Sequence, residues 1–113
     1  MEGRLPAHLE ISALIRRAAV DGGFAAVLHK GERDAGTILL VTIEGRNNAQ
    51  LWERMPQLDG SRKWSVTREK TAENRHEFDD YIARRTARDP DLWVLELDIA
   101  DPERFVVSVN ARS

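Results

Sequence analysis

The chain has 113 residues, 42% of them hydrophobic and 32% charged, with 17 basic residues against 19 acidic ones and a formal charge of −2. That length holds one domain with one core, and the composition is that of neither a disordered nor a membrane-embedded chain. The near-neutral balance removes any global field for a polyanion, and the lack of cysteine excludes disulfides, thiolate nucleophiles and thiolate zinc sites while fitting a reducing compartment.

The first residues, Met-Glu-Gly-Arg-Leu-Pro, lead into no signal-peptide core, and no later run approaches the roughly 18 apolar residues that cross a bilayer. The expected setting is the cytoplasm, with no membrane contact. Over residues 6–20, Leu9, Ile11, Leu14, Ile15 and Ala18 recur at helical spacing, with Arg16 and Arg17 late and on the outer side, where cations suit the helix dipole. A later start at Ser12 is the alternative. Asp21-Gly22-Gly23 then stops the helix, because glycine accepts left-handed closing geometry.

Two apolar runs, residues 24–30 and 37–44, flank the loop Gly31-Glu-Arg-Asp-Ala-Gly36 and read as an antiparallel hairpin. Residues 38–43 are apolar at both alternating sets of positions, Ile38 and Leu40 as well as Leu39, Val41 and Ile43. Such a strand needs cover on both faces and belongs at the centre of a sheet. Gly45-Arg46-Asn47-Asn48 is a turn by composition, and residues 49–55 read as a third strand carrying Leu51, Trp52 and Met55. Asp59-Gly60 turns the chain into a polar fourth strand over residues 62–67, with Trp64 and Val66 inward. Short loops between consecutive strands predict an up-and-down meander.

Thr71 is placed to cap a second helix running to Arg88, with Phe78, Tyr81, Ile82 and Ala83 as its apolar side. Its acids come early and Arg84, Arg85 and Arg88 come late, as the dipole favours, and Asp89-Pro90 ends it. Trp93, Leu95 and Leu97 then share one face of a strand, and residues 105–109 are expected to pair back as an edge strand before a frayed tail. The predicted fold class is therefore α+β: an antiparallel four- to six-stranded meander sheet with two helices packed on one face, in the order α-β-β-β-β-α-β-β. Residues 1–113 form the single domain, with 101–113 as edge strand and tail.

Chemistry has few footholds. The 31–36 loop has the glycine separation of a phosphate-binding loop but lacks the Gly-Lys-Ser/Thr ending and precedes a strand, so no helix N-terminus backs it. A plain loop is the simpler reading, with Lys30 and Arg33 as candidates to bind a small anion and His29 and Asp34 as further candidate binding residues. His8, His29 and His76 stand in no metal-ligand spacing. Asp91, Glu96 and Asp98 are the candidate divalent-cation ligands, since Glu96 and Asp98 lie two apart on a strand and share a face. A solvated, charge-protected strand explains them as well. Arg84, Arg85 and Arg88 are the candidate phosphate contacts of a weak nucleic-acid binder, against the plain reading of a solvated helix end. The three tryptophans are first of all core material. No nucleophile elbow or dinucleotide fingerprint occurs, and no cofactor is expected.

Ser12-Ala-Leu-Ile-Arg-Arg17, Gly23-Phe-Ala-Ala-Val-Leu28 with Gly31, Asp34-Ala-Gly36-Thr-Ile-Leu-Leu40, and Asp79-Asp-Tyr-Ile82 through Asp89-Pro-Asp-Leu-Trp93-Val-Leu-Glu-Leu97 resemble a small family of alphaproteobacterial proteins, domain of unknown function 1491. The resemblance runs from about Arg4 to Asp98 and carries no reaction, cofactor or partner with it. It implies a bacterial cytoplasmic protein in which the Asp34-Ala35-Gly36 loop and the Asp89-Pro90-Asp91 turn are features of the family. The reading that follows is a non-catalytic module acting through a protein partner or a copy of itself, with metal-assisted hydrolysis through Asp91, Glu96 and Asp98, or weak nucleic-acid binding, as alternatives.

Overall fold

Strand β2 (Ile38–Glu44) is the middle strand of a five-stranded sheet, and its two-sided burial dictates where the other elements go. The computed structural model describes residues 5–111. Around β2 lie α1 (Ala7–Val20), β1 (Phe24–His29), β3 (Asn47–Pro56), β4 (Arg62–Glu69), α2 (Arg75–Arg88), β5 (Trp93–Asp98) and α3 (Pro102–Ala111). The strand order is β1-β5-β2-β3-β4.

The α+β class stands, but the sheet is mixed rather than purely antiparallel, because β5 pairs antiparallel with β1 and parallel with β2. The expected β1–β2 hairpin does not form: β5 is inserted between its two strands. Burial explains the exchange. β5 sends Trp93, Leu95 and Leu97 to one face and Val94 to the other, all buried, so an edge position would expose it, whereas β1 is largely exposed along its length. The more apolar strand takes the inner place. β2, β3 and β4 do follow one another as the meander predicted, with a tight turn in which Gly45 and Arg46 both have positive φ, 54° and 74°.

Helices cover both faces, not one. On the first face Ile11, Leu14 and Ala18 of α1 and Phe105 and Val106 of α3 pack on Leu40, Trp52, Trp64, Trp93, Leu95 and Leu97. On the second, Phe78 of α2, flanked by Tyr81 and Ile82, packs on Leu39, Val41, Leu51, Leu92 and Val94. Burying one such aliphatic side chain is worth about 1.5–3 kcal/mol, so each layer is held by many such increments. The tryptophans are core residues, as expected, and the Trp52 indole N–H donates to the fully buried Thr42 hydroxyl at 2.9 Å.

Residues 105–109 are helical, not an edge strand. Asp101 caps the helix through its carboxylate, which accepts from the Arg104 N–H at 3.1 Å, and Pro102 sits at the first helical position. Pro102, Phe105, Val106 and Val109 recur at three, four and seven residues, one helical stripe turned to the sheet. Capping and that stripe outweigh the β-propensity of Val106 and Val107. In α2, Thr71 is not the N-cap. Its hydroxyl accepts from the Asn74 N–H while the Asn74 side chain accepts from the Thr71 N–H, and the helix begins one turn later at Arg75.

Candidate functional site

The loop from Lys30 to Thr37 leaves β1 and wraps round the turn that precedes β5. The Glu32 N–H donates to the Asp91 carbonyl at 2.8 Å, and the Glu32 carbonyl accepts the Trp93 indole N–H at 2.7 Å. The His29 ring donates from Nδ1 to the Leu92 carbonyl at 2.6 Å. From the other side, the first N–H groups of α1, on Ala7 and His8, donate to the Asp34 and Arg33 carbonyls at 2.9 Å each, satisfying donors that a helix start otherwise leaves open. Gly31 and Gly36 are needed because a Cβ at either would fall inside van der Waals contact of the Asp91 carbonyl oxygen. The glycine pair therefore receives a backbone carbonyl, and the two segments that carried the family resemblance, 34–36 and 89–91, are parts of one joint. Lys30, Arg33 and Asp34 lie on the outside of this joint, exposed.

The acidic trio does not converge. Asp91 stands before β5 and Asp98 closes it, with about 17 Å of extended strand between. Asp98 accepts the Gly45 N–H at 3.0 Å, and no group of three or more His, Asp or Glu able to hold a metal ion exists among the described residues. The arginine cluster also divides. Arg85 turns inward to Glu53 at 2.8 Å and to the Tyr81 hydroxyl at 2.7 Å, whereas Arg84 and Arg88 stay exposed.

Glu53 is the hub of the polar network between α2 and the sheet, accepting from Arg85, from the Thr67 hydroxyl at 2.7 Å and from the Tyr81 hydroxyl at 3.2 Å. Burial pushes its carboxyl up, but the hydrogen bonds and the Arg85 charge outweigh that and hold it below its ordinary value. The same partners push the Arg85 guanidinium up against its own burial. Through these contacts Glu53 ties β3 to Thr67 of β4 and to Tyr81 and Arg85 of α2.

The two edges of the sheet are treated differently. β4 carries Arg62, Lys63, Arg68 and Glu69, and the Asn110 carboxamide of α3 covers one residue near its start, accepting the Trp64 N–H at 2.9 Å and donating to the Trp64 carbonyl at 3.2 Å. A side-chain amide there takes the place of a neighbouring strand. β1 has no charged residue from Phe24 to Leu28 and is paired on one side only. Phe24, Val27 and Leu28 are 75%, 44% and 54% exposed. Composition alone would have pointed to this strand, had its edge position been known.

The structure is a mixed sheet between helical layers, with no group of three or more His, Asp or Glu able to hold a metal ion among its described residues and with β1 paired on one side only. The chain belongs to the DUF1491 family of proteins of unknown function, whose model matches residues 5–107. It is similar to a DUF1491 family protein from Caulobacter crescentus CB15 solved by crystallography, at 35% identity over 90% of this chain and 94% of that one, TM-score 0.77. An NMR structure of a DUF1491 family protein from the same organism matches at 34% identity over 93% and 94%, TM-score 0.74. The solution structure of Atu0922 from A. tumefaciens matches at 30% identity over 88% and 89%, TM-score 0.70. No curated protein matches the chain. No helix among the described residues is long and apolar enough to cross a membrane.

Proposed function

We propose that the chain works as a one-domain, non-catalytic protein-interaction module whose docking element is the free edge of β1. The observation that carries this reading is the contrast between the edges: β4 is guarded by charge and by Asn110, while β1 offers five apolar residues, Phe24 to Leu28, with no charge among them and one bulge between Val27 and His29. An extended segment added there gains main-chain hydrogen bonds for affinity and apolar side-chain contacts with Phe24, Val27 and Leu28 for specificity. A cysteine-free composition supports a cytoplasmic setting for this contact.

A photo-crosslinking residue in place of Val27, expressed in the native cell, should give a defined covalent adduct. The same residue in place of Val66, exposed on β4, is the comparison and should give none. Absence of an adduct from position 27, or the same adduct from both positions, overturns the reading.

A further inference from the structure

We propose that the strand which completes the β1 edge is β1 of a second copy of this chain, antiparallel about a two-fold axis at Ala26; the inference rests on the edge-docking reading above. Its basis is the self-complementarity of the strand. With Ala26 opposite Ala26 of the second copy, residues 25–27 pair in one register, up to the bulge in β1 between Val27 and His29. Ala25 then faces Val27 of the copy, Phe24 comes opposite the bulge at Leu28, and each pairing occurs twice. Small meets small at the axis, large meets large at both ends, and Phe24 and Leu28 are more than half exposed in the single chain.

The charges agree with the same register. Asp21, just before the strand, and Lys30, just after it, are both exposed and make no ion pair among the described residues. Beyond the bulge the two-fold brings Lys30 of the copy to the Gly22–Gly23 end of the strand, near Asp21, at each end of the ribbon. Opposite charges so placed across antiparallel strands favour the pair. Glu96 and Asp98, which pair with Ala26 and Phe24 from β5, are separated from their counterparts by three strand spacings, about 14 Å, beyond the Debye length of about 8–10 Å at ordinary ionic strength. Their mutual repulsion is screened. The flank of α1 that carries Ile15 holds His8, Ser12, Ile15 and Ala19, by the 100° step of the helix, and no lysine, arginine or carboxylate. Pairing β1 with β4 of a second copy would bring the Asn110-covered, charged edge against an apolar one and would leave both outer edges open to further addition. The isologous pair closes.

The chain has no cysteine, so an introduced one is unique. Ala26→Cys places two sulfurs opposite each other at the axis, within the roughly 4.4–6.8 Å Cα separation that a disulfide accepts in either class of antiparallel pair. Under mild oxidation it should form a disulfide-linked species of twice the 12.8 kDa chain mass, at concentrations where Leu58→Cys, fully exposed on the β3–β4 turn, stays mostly monomeric. Sedimentation of the unmodified protein should show mass doubling with concentration. Val27→Lys, which sets two ammonium groups close to the axis at a half-exposed position, should abolish the doubling while leaving the thermal melt cooperative.

An unmodified protein that sediments as a monomer up to its solubility limit, with Ala26→Cys no faster to crosslink than Leu58→Cys, overturns the second-copy inference. The cellular adduct from position 27 separates this failure from that of the parent reading. An adduct identified by mass spectrometry as a different protein overturns the second copy and keeps edge docking; no adduct overturns both.

Discussion

Replacing Asn110 by alanine tests the claim that α3 seals one edge of the sheet. The carboxamide makes two hydrogen bonds to one residue of β4, accepting from the Trp64 N–H at 2.9 Å and donating to its carbonyl at 3.2 Å. Each is worth a net ~0.5–1.5 kcal/mol. Both Trp64 groups lie on an edge strand that water can partly reach once the amide is gone, which favours the lower half of the summed range, about 1–2 kcal/mol. For a chain of this size that corresponds to a fall in Tm of roughly 4–8 °C.

The assay is thermal unfolding by circular dichroism, joined to amide exchange at Trp64, whose N–H should exchange faster in the variant than in the parent while the amides of β2 keep their protection. Val107→Ala, on the exposed side of the same helix, serves as the control and should change stability by under ~0.5 kcal/mol. If Asn110→Ala melts within about 1 °C of the parent and the Trp64 amide exchanges no faster, then the Asn110 contact is not a seal. The argument that distinguishes the two edges would lose its main support.

Three further changes follow from the packing. Gly36→Ala forces a Cβ against the Asp91 carbonyl and within 2.9 Å of Trp93 Cδ1, so it should cost ~1–3 kcal/mol or more and alter the near-ultraviolet dichroism of Trp93; an unchanged melt and spectrum would mean the loop joint is loose. Trp52→Phe removes the donor to the buried Thr42 hydroxyl and should cost about 1–3 kcal/mol by urea unfolding. The pairing of Glu53 gives stability a pH dependence of definite sign. Its folded carboxyl titrates below the ordinary 4.5, so the stabilisation is complete above the unfolded value and is lost as pH falls through the folded one. Glu53→Gln should therefore lower Tm near neutrality and flatten its fall below about pH 4.5, and parallel acid profiles for the two proteins would refute the assignment.

Much of the fold could be read from residues whose environment is fixed locally. The two-sided apolarity of residues 38–43 placed β2 at the centre, α2 announced itself by sorted charges and the Phe78–Ile82 stripe, and the tryptophans were assigned to the core. What could not be read is which strands neighbour which, because that choice is made by the burial of all strands at once. β5 displaced β2 from the side of β1 because it has buried residues on both faces, Trp93, Leu95 and Leu97 on one and Val94 on the other. The same feature of β2 already implied helices on both faces, since a strand covered on one side would have exposed Leu39 and Val41. In α3, adjacent Val106 and Val107 suggested a strand, although the spacing of Pro102, Phe105, Val106 and Val109 and the Asp101 cap were helical signals in plain view. His29, Lys30, Arg33 and Asp34 were singled out for chemistry, and the structure gives their loop a role in joining α1, β1 and β5.

The two edges present one physical problem with two solutions. An open strand offers unpaired N–H and C=O groups to any chain of extended conformation, and the risk grows with apolar side chains and falls with charge. At β4 the chain meets the risk twice over, with Arg62, Lys63 and Arg68 along the strand and a helix-borne amide on its backbone. The helix that carries this amide is also anchored in the core through Phe105 and Val106, so the seal is as stable as the fold. At β1 the risk is higher, because Phe24, Val27 and Leu28 are exposed, no charge lies between Phe24 and Leu28, and the edge is interrupted only by the bulge between Val27 and His29. Leaving β1 bare for lack of means is hard to reconcile with a chain that protects its less apolar edge by two devices. On the edge-docking proposal an occupied edge removes that risk, and in the second-copy proposal a strand whose sequence complements itself in size and terminal charge is its own occupant.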